Sequence, residues 1–355
     1  MAAASALLPE TAAAQGQPEQ AILAFKYLDY VDLQRSGDRM HIRAPLVYGI
    51  APLGERWGVE GSATLDSMSG ASPLFYSALS GASRLGVRDT RRAGDVRFTR
   101  YFENNSVGVG AAISDENDYT SRTLSVDARH TTEDRNTTWT AGVSATEDDI
   151  SSTNNRFLHE GRHAKEFMVG VTHVLSPVAI VQSNLMRIES RGYHSDPYKT
   201  LDIRPRSRNA WAWLTRYNRF VPAWDGALQT SYRYFEDDWN IRAHTVEAAW
   251  HQNLPSGWTL RPAVRYYTQH AAEFFGEQFP PATFTGFMSY DQRVSSFGAY
   301  SASLKVTKTI NARASVDIKV EKYEQRTSWS AFQTADVPIE PFRYRLLSVG
   351  LSYKF

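Results

Sequence analysis

The sequence predicts an all-β protein: a closed, antiparallel transmembrane β-barrel of about 16 strands, with short turns at one end and long loops at the other. Three observations predict this fold. Apolar residues recur at every second position along most of the chain. The connections between these segments sort by length, and the final segment stays amphipathic to its last residue.

The alternation of period two indicates strands. In the stretch INARASVDIKVEK, apolar residues at even positions from Ile310 to Val320 alternate with polar or charged residues. This period places alternate side chains on opposite faces of a strand, and no segment shows the helical period of 3.6. The alternating segments lie between residues 22 and 355. At roughly 10–15 residues each, they are longer than most strands of soluble sheets.

The connections differ in length according to their order in the chain. Five are long: 69–86, 150–161, 191–206, 271–293 and 325–341. With an even strand count they all fall at one end of the barrel, and every connection at the other end is short. Outer-membrane barrels have this asymmetry, with tight periplasmic turns and longer extracellular loops. We therefore expect a bacterial outer-membrane location with both termini in the periplasm.

Composition excludes several alternatives. The 39 Lys and Arg residues nearly balance the 38 Asp and Glu residues, so the sequence lacks the basic surplus of nucleic-acid-binding proteins. Cysteine is absent, which removes disulfides and thiolate metal sites. Mean hydropathy is −0.43, and the sequence contains no run of about 18 apolar residues, which a transmembrane helix would need. The sequence also offers no nucleotide or cofactor motif.

The two chain termini carry separate predictions. Residues 1–15 are Ala-rich and resemble either a truncated signal peptide or a disordered tail, which leaves residues 16–355 as the barrel domain. The last strand must close the barrel against the first, with alternate side chains facing lipid. An amphipathic final strand that ends in Phe also resembles the signal read by the barrel assembly machinery, here Val349, Leu351, Tyr353 and Phe355.

Three segments resemble a family of bacterial outer-membrane barrels of unknown function. LDSMSGASPLFY contains a Ser-Gly-Ala-Ser-Pro segment, and SDENDYTSRTLSVDAR and RNTTWTAGVSATEDDI are similar to two further blocks. The resemblance implies export and a barrel rather than a particular reaction. Expected partners are outer-membrane lipid, lipopolysaccharide, the barrel assembly machinery and a periplasmic protein.

The loop at residues 67–82 is unusual because it carries no charge although it is an outer loop. It could fold into the lumen and narrow it, since a 16-stranded barrel otherwise encloses an aqueous channel. The alternative is packing against neighbouring loops or lipopolysaccharide. The predicted constriction comprises Ser69, Gly70, Ser72, Pro73, Phe75 and Tyr76.

Acidic residues cluster at the predicted outer rim, where carboxylates supply hard oxygen ligands for calcium or magnesium. They also suit solvated strand ends without any metal. The candidates are Asp115, Glu116, Asp118, Glu147, Asp148, Asp149, Glu236, Asp237 and Asp238.

The polar face of the late strands predicts a mixed but mainly basic lumen. Basic lumen residues favour anionic solutes, as rings of charge do in other pores. The alternative is that they pair across strands and fill the interior. The predicted lumen charges are Arg261, Arg265, Lys305, Arg313, Asp317, Lys319 and Glu321.

Three functions follow from this pattern. A passive channel or conduit for a small solute is the first. The second is a plugged barrel that serves as a scaffold or anchor for a periplasmic or extracellular partner. The third is an outer-membrane hydrolase, for which His194, Ser195 and Asp196 in GYHSDP give little support, because adjacency alone does not build a catalytic relay. We expect no enzymatic activity.

Overall fold

A computed structural model describes residues 16–34, 37–70, 87–199, 202–276, 285–332 and 341–355. Within these ranges the chain forms sixteen long strands and four short 3₁₀ turns. The strands are β1 (Ile22–Gln34), β2 (Gly37–Leu53), β3 (Trp57–Gly70), β4 (Val87–Tyr101), β5 (Asn105–Asp115), β6 (Tyr119–Thr131), β7 (Thr137–Ile150), β8 (Glu160–Ser176), β9 (Ala179–Gly192), β10 (Ser207–Val221), β11 (Gly226–Asp237), β12 (Arg242–Leu254), β13 (Trp258–Gln269), β14 (Phe297–Thr309), β15 (Ala314–Arg326) and β16 (Phe342–Lys354).

The sheet closes into a single barrel in which each strand pairs antiparallel with its sequence neighbours. The closing contact joins the first and last strands, in a register that runs from Ile22 opposite Lys354 to Leu33 opposite Arg343. Closure gives both sides of every strand a hydrogen-bonding partner, which lipid cannot supply. The predicted closed antiparallel barrel and its strand count are confirmed.

The two ends of the barrel differ as the loop lengths predicted. One end carries the short connections at 54–56, 102–104, 132–136, 177–178, 222–225, 255–257 and 310–313, together with the start of β1 and the end of β16. Several of these tight turns need left-handed backbone, as at Asp225 with φ of 45° and Gly257 with φ of 74°. The other end carries the longer loops. We call these the short-turn end and the long-loop end.

The outer surface of the barrel is apolar. Exposed residues alternate with less exposed ones along the strands, and the exposed positions carry large hydrophobic side chains such as Leu124, Val169 and Val264. An apolar band flanked by aromatic residues is typical of outer-membrane barrels. Exposed aromatic residues lie near both ends: Trp57, Phe102, Trp139, Trp224 and Trp258 near the short turns, and Trp211, Trp213 and Tyr300 near the long loops.

The last strand follows its predicted orientation. Val349, Leu351 and Tyr353 lie on the outer surface and are exposed, and the backbone N–H of Phe355 donates to the carbonyl of Ala21 at 2.9 Å.

In the described ranges, no helix is long and apolar enough to span a membrane.

Candidate functional site in the barrel interior

The inner wall of β13, β14 and β15 carries a row of basic residues. Arg261 lies opposite Lys305, and Lys305 lies opposite Lys319, so three cations occupy neighbouring positions on three adjacent strands. The residues beside them along the strands, such as Leu304 and Ile318, are exposed on the outer surface. Because a strand alternates its side chains, the basic row faces the lumen. We call these three residues the basic row.

Described polar groups contact two members of the basic row. The Lys319 ammonium lies 2.8 Å from the carboxylate of Glu321. Arg261 donates from Nε to His251 Nε2 at 2.8 Å, and its Nη2 lies 3.9 Å from the carboxylate of Glu247. The row therefore combines three positive charges with two nearby carboxylates, which include the predicted lumen charge at position 321.

Further arginines extend this positive wall. Arg265 faces the lumen two residues from Arg261 and is exposed. Glu247 is its cross-strand neighbour, but no described carboxylate lies within 4 Å of the Arg265 guanidinium. Arg216 and Arg233 face the lumen from β10 and β11, also without a described ion-pair partner. We call the inner face of β10–β15 the charged wall.

One predicted lumen charge is placed differently. Arg313 lies in the exposed turn between β14 and β15, not on the inner wall. The side chain of Asn311 accepts hydrogen bonds from the backbone N–H groups of Arg313 and Ala314, which holds the turn and delays the start of β15. Asp317 does face inward, where it is buried beside Gly350.

The inner wall of β3 to β6 is closer to electrical balance. Arg91 pairs with Asp66, and Arg97 pairs with Asp127. The carboxylate of Asp95 accepts a hydrogen bond from the hydroxyl of Ser62. These two arginine–carboxylate pairs, one between β4 and β3 and one between β4 and β6, bring this part of the wall closer to electrical balance than the charged wall.

The inner wall of β16, β1 and β2 is mainly apolar, although the side chains of Lys26 and Asp32 are also buried on β1. Leu28, Tyr30, Ala44 and Leu46 form a buried cluster, and each is at most 5% exposed. The partly buried side chains packed against this cluster are Ile42, Tyr48, Tyr344 and Leu346. All of these lie at inward positions, so we call this surface the apolar wall.

The long-loop end carries an ordered structure that we call the cap. It comprises residues 193–199 and 202–206 of the β9–β10 loop and residues 270–276 and 285–296 of the β13–β14 loop. Ile203 and Met288 form an antiparallel bridge between the two loops. The centre of the cap is the fully buried carboxylate of Asp291, which accepts from Lys199 at 2.7 Å and Arg204 at 2.6 Å and also pairs with Arg293.

Two further carboxylates complete the ionic network of the cap. Asp202 pairs with Arg204 at 2.9 Å, and Asp196 pairs with Arg293 at 2.6 Å. Burial disfavours ionisation of Asp291, but Arg293, Lys199 and Arg204 together hold the pKa of its carboxyl well below the usual range. The carboxylate of Asp291 is therefore charged at neutral pH.

The cap packs against the inner wall. The side-chain amide of Gln269, at the inward-facing end of β13, donates to the carbonyls of Arg293 at 3.0 Å and Ser295 at 2.6 Å. Phe235 of β11 also packs against the buried cluster that includes Trp239 and Val294. The two loops consequently lean over the lumen on the side of the charged wall.

His194 is a neutral imidazole within the cap. Its Nδ1 donates to the carbonyl of Gly192 at 3.1 Å, which leaves Nε2 to accept from the Ser190 hydroxyl at 2.7 Å. Burial, followed by the nearby arginines, lowers its pKa to about 4. The predicted trio does not act as a relay, because Ser195 accepts from the backbone of Arg204 and Asp196 pairs with Arg293.

The acidic rim residues divide between the two faces of the barrel. Asp148 points inward, where it accepts from Tyr119 at 2.7 Å and pairs with Arg162, whereas Glu147 and Asp149 are exposed on the outer surface. Consecutive strand residues face opposite sides, so a cluster in the sequence is not a cluster in space. Among the described residues, no three acidic or histidine side chains are placed to hold a metal ion.

The remaining rim candidates follow the same division or belong to turns. The side chain of Asp237 pairs with Arg208, Asp238 accepts from Asn209, and Glu236 accepts from Tyr234. Glu116 and Asp118 are buried in the β5–β6 turn, and Asp115 accepts from Thr120 on the outer surface.

The predicted constriction lies mostly outside the described residues. Ser72, Pro73, Phe75 and Tyr76 belong to residues 71–86, and Ser69 and Gly70 form the end of β3. Residues 1–15 are likewise outside the described part of the chain.

A closed sixteen-stranded barrel with an apolar outer band and a polar interior defines an outer-membrane-type β-barrel protein. The chain belongs to the family described as "Protein of unknown function (DUF3570)", which it matches over residues 1–163 and 154–341. The predicted resemblance to an outer-membrane family of unknown function is thereby confirmed. No curated protein matches the sequence.

Solved structures show the same fold at low sequence identity. CdiB from Acinetobacter baumannii has a TM-score of 0.54 at 8% identity, covering 93% of this chain and 60% of CdiB. A bacterial polysaccharide outer membrane secretin has a TM-score of 0.51 at 9% identity, covering 95% of this chain and 98% of the secretin. The chain thus spans about three fifths of the CdiB structure, and these likenesses show the fold alone.

Proposed function

We propose that this barrel is a passive channel for a small polar solute in the bacterial outer membrane, with its termini in the periplasm. The observation that carries the proposal is the charged wall. Arg216 and Arg265 face the lumen and are exposed, although a barrel that served only as a filled support would pair or bury such groups. Sixteen strands leave an aqueous interior wide enough for a solute.

In this proposal, the cap narrows the mouth of the barrel on the side of the charged wall. Its two loops contact the inner wall through Gln269 and Phe235, and its ionic network fixes them there. A rigid cap on one side leaves the remaining part of the mouth as the path for a solute.

Residues 67–82 are proposed as a second constriction, next to the apolar wall. The segment begins within the end of β3, the neighbour of β2, and its sequence is uncharged and contains Leu74, Phe75, Tyr76 and Leu79. The apolar wall offers a surface of matching chemistry within the lumen, including Leu28 and Leu46. Packing of apolar side chains against that wall would remove both surfaces from water.

Single-channel conductance of the refolded protein in a planar bilayer tests the proposal. We expect conductance that rises with salt concentration, and larger conductance after deletion of residues 70–82. A matched deletion of residues 154–157 in the β7–β8 loop should leave conductance unchanged, because these residues are exposed to solvent. Folding of each variant is checked by heat-modifiable migration on a gel.

A folded barrel that conducts neither as wild type nor after the deletion would overturn the channel proposal. The scaffold alternative would then account for the cap as a platform for a partner. A hydrolase has less support: Ser190 and His194 are hydrogen-bonded, but the Nδ1 of His194 donates to a backbone carbonyl where a relay would place a carboxylate.

A further inference from the structure

We propose that the outer surface of β15 and β16, close to the long-loop end, is a docking site for lipopolysaccharide. Its phosphate groups bind four cations that lie on this surface, Lys322, Arg326, Arg343 and Arg345. We call these four residues the basic patch. The inference rests on the proposed outer-membrane orientation, which places the long-loop end in the leaflet that contains lipopolysaccharide, and it does not depend on conduction.

The alternation of side chains places the basic patch on the lipid-facing surface. Val320 of β15 and Leu347 of β16 lie opposite one another and are exposed on the outside of the barrel. Lys322 and Arg345 form the next outward pair, two residues nearer the long-loop end, and both are exposed. The patch therefore adjoins the apolar outer band at its long-loop edge.

The register of the two strands brings like charges together. Lys322 lies directly opposite Arg345, an arrangement that destabilises a strand pair. Among the described residues, no carboxylate lies within 4 Å of either cationic group. A bound phosphate offsets this repulsion because it attracts both cations.

The carboxylates beside the patch are already engaged. Glu324 of β15 accepts from Arg326 at 2.6 Å and from Arg343 at 3.0 Å. On the adjacent β1, the outward carboxylate of Asp29 lies 2.8 Å from His41. Within the described chain, the four cations of the patch thus share a single carboxylate, that of Glu324.

The outer surface of β6 to β8 shows the opposite arrangement near the same end. Arg122 lies opposite Glu147 and pairs with Asp149 at 2.8 Å, and Glu147 lies 3.8 Å from His163. These neighbours carry opposite charges, so that surface has no excess of positive charge. The basic patch does have such an excess, which attracts an anionic headgroup.

The surroundings of the patch match an amphiphilic lipid. The ring of Trp329 lies 4.7 Å from the guanidinium carbon of Arg326 and 5.2 Å from the ring of Tyr300, and aromatic residues of this kind mark the membrane–water interface. The exposed side chains of Leu304 and Val320 continue this surface into the apolar band. Lipid phosphates therefore lie at the basic patch while the acyl chains lie along the band.

The number of cations favours lipopolysaccharide over a phospholipid. Guanidinium groups bind phosphate through parallel hydrogen bonds, and an ammonium group adds a point charge. A phospholipid offers these groups a single phosphate beside its acyl chains. The lipid anchor of lipopolysaccharide carries more than one phosphate there, so it can engage several members of the patch at once.

Native mass spectrometry of the refolded protein in detergent, titrated with diphosphoryl lipid A, tests the site. The double variant Lys322→Gln/Arg345→Gln should bind lipid A about fivefold more weakly for each cation removed. The matched control is Arg100→Gln/Arg219→Gln, which removes two exposed outward cations near the short turns. Heat-modifiable migration on a gel checks the folding of each variant.

The outcomes separate this inference from the channel proposal. Weaker binding in the patch variant, with the control unchanged, supports the docking site. Equal loss in the two double variants overturns it, as does absence of lipid A binding by the folded wild type. Phosphatidylglycerol is the comparison lipid, and equally tight binding of that lipid would overturn the assignment to lipopolysaccharide. Because these measurements do not involve conduction, a barrel that binds lipid A but does not conduct refutes the channel proposal alone.

Discussion

The apolar wall and the charged side of the barrel are neighbouring parts of one sheet, built on opposite principles. On the apolar wall, Leu46 and Leu28 are buried against other hydrocarbon side chains. On the charged side, lumen-facing arginines such as Arg265 remain exposed, and the cap above them is held by ion pairs around Asp291.

This difference separates residues that stabilise the barrel from residues that act in the lumen. Apolar packing stabilises the barrel because it removes hydrocarbon surface from water. Like charges on adjacent strands cost stability, and buried ion pairs must offset the desolvation of each charge. If the barrel is the proposed channel, exposed inward charges such as Arg265 mark the side of the lumen on which a solute meets the wall.

The largest expected effect concerns the cap. Asp291→Ala removes the shared partner of Lys199, Arg204 and Arg293, which leaves three buried cations without their central carboxylate. Breaking a buried ionic network in this way costs about 3–5 kcal/mol. Hydrogen exchange followed by mass spectrometry should show faster exchange in residues 193–199 and 285–296.

The control for this prediction is Asp149→Ala. Asp149 pairs with Arg122 at 2.8 Å, but both side chains are more than half exposed. Loss of such a pair costs about 0–1 kcal/mol. Equal effects of the two substitutions would mean that the cap is not held by its buried ions, and faster exchange in β1 and β2 would mean that the two sides are not independent.

The next effect concerns the apolar wall. Leu46 is 1% exposed, and Leu46→Ala should lower the free energy of unfolding by about 2–5 kcal/mol, because it removes packed methyl groups and leaves a cavity. Urea-induced unfolding in lipid vesicles measures the change. The matched control is Leu304→Ala on the outer surface, where lipid can fill the space and the loss should be smaller. A smaller loss at position 46 than at 304 would refute close packing of this wall.

Much of the fold could be predicted from local sequence. Period-two alternation and tight-turn residues act over a few positions, so the strands and the two kinds of loop were predictable. The alternation at Ile310 and Ala312 predicted a strand from residue 310, but β15 begins at Ala314. Residues 310–313 form a turn in which the side chain of Asn311 accepts backbone hydrogen bonds.

The interior was harder to predict because it depends on long-range pairing. Glu147, Asp148 and Asp149 are adjacent in sequence but divide between two faces. The cap brings Arg204 to Asp291 from loops 87 residues apart, which no local pattern indicates. The apolar wall did leave a signal, since β2 is apolar on both faces over much of its length, as at Leu46, Val47 and Tyr48.

A smaller effect is the change of cap stability with pH. The pKa of His194 is lowered to about 4 in the folded cap, from about 6.5 in an unfolded chain. Between these values only the unfolded state binds the proton, so cap stability is complete above about pH 6.5 and decreases as the pH falls toward 4. After allowance for partial exposure, the loss is about 1–2 kcal/mol.

The fluorescence of Trp239 reports this titration, because its ring lies 5.4 Å from that of His194 in an edge contact. The difference in emission between wild type and His194→Gln should change with a midpoint near pH 4. Asp291 remains charged in this range, since its pKa lies below the usual value. A midpoint near 6.5 would show that the imidazole is solvated and that the cap is open.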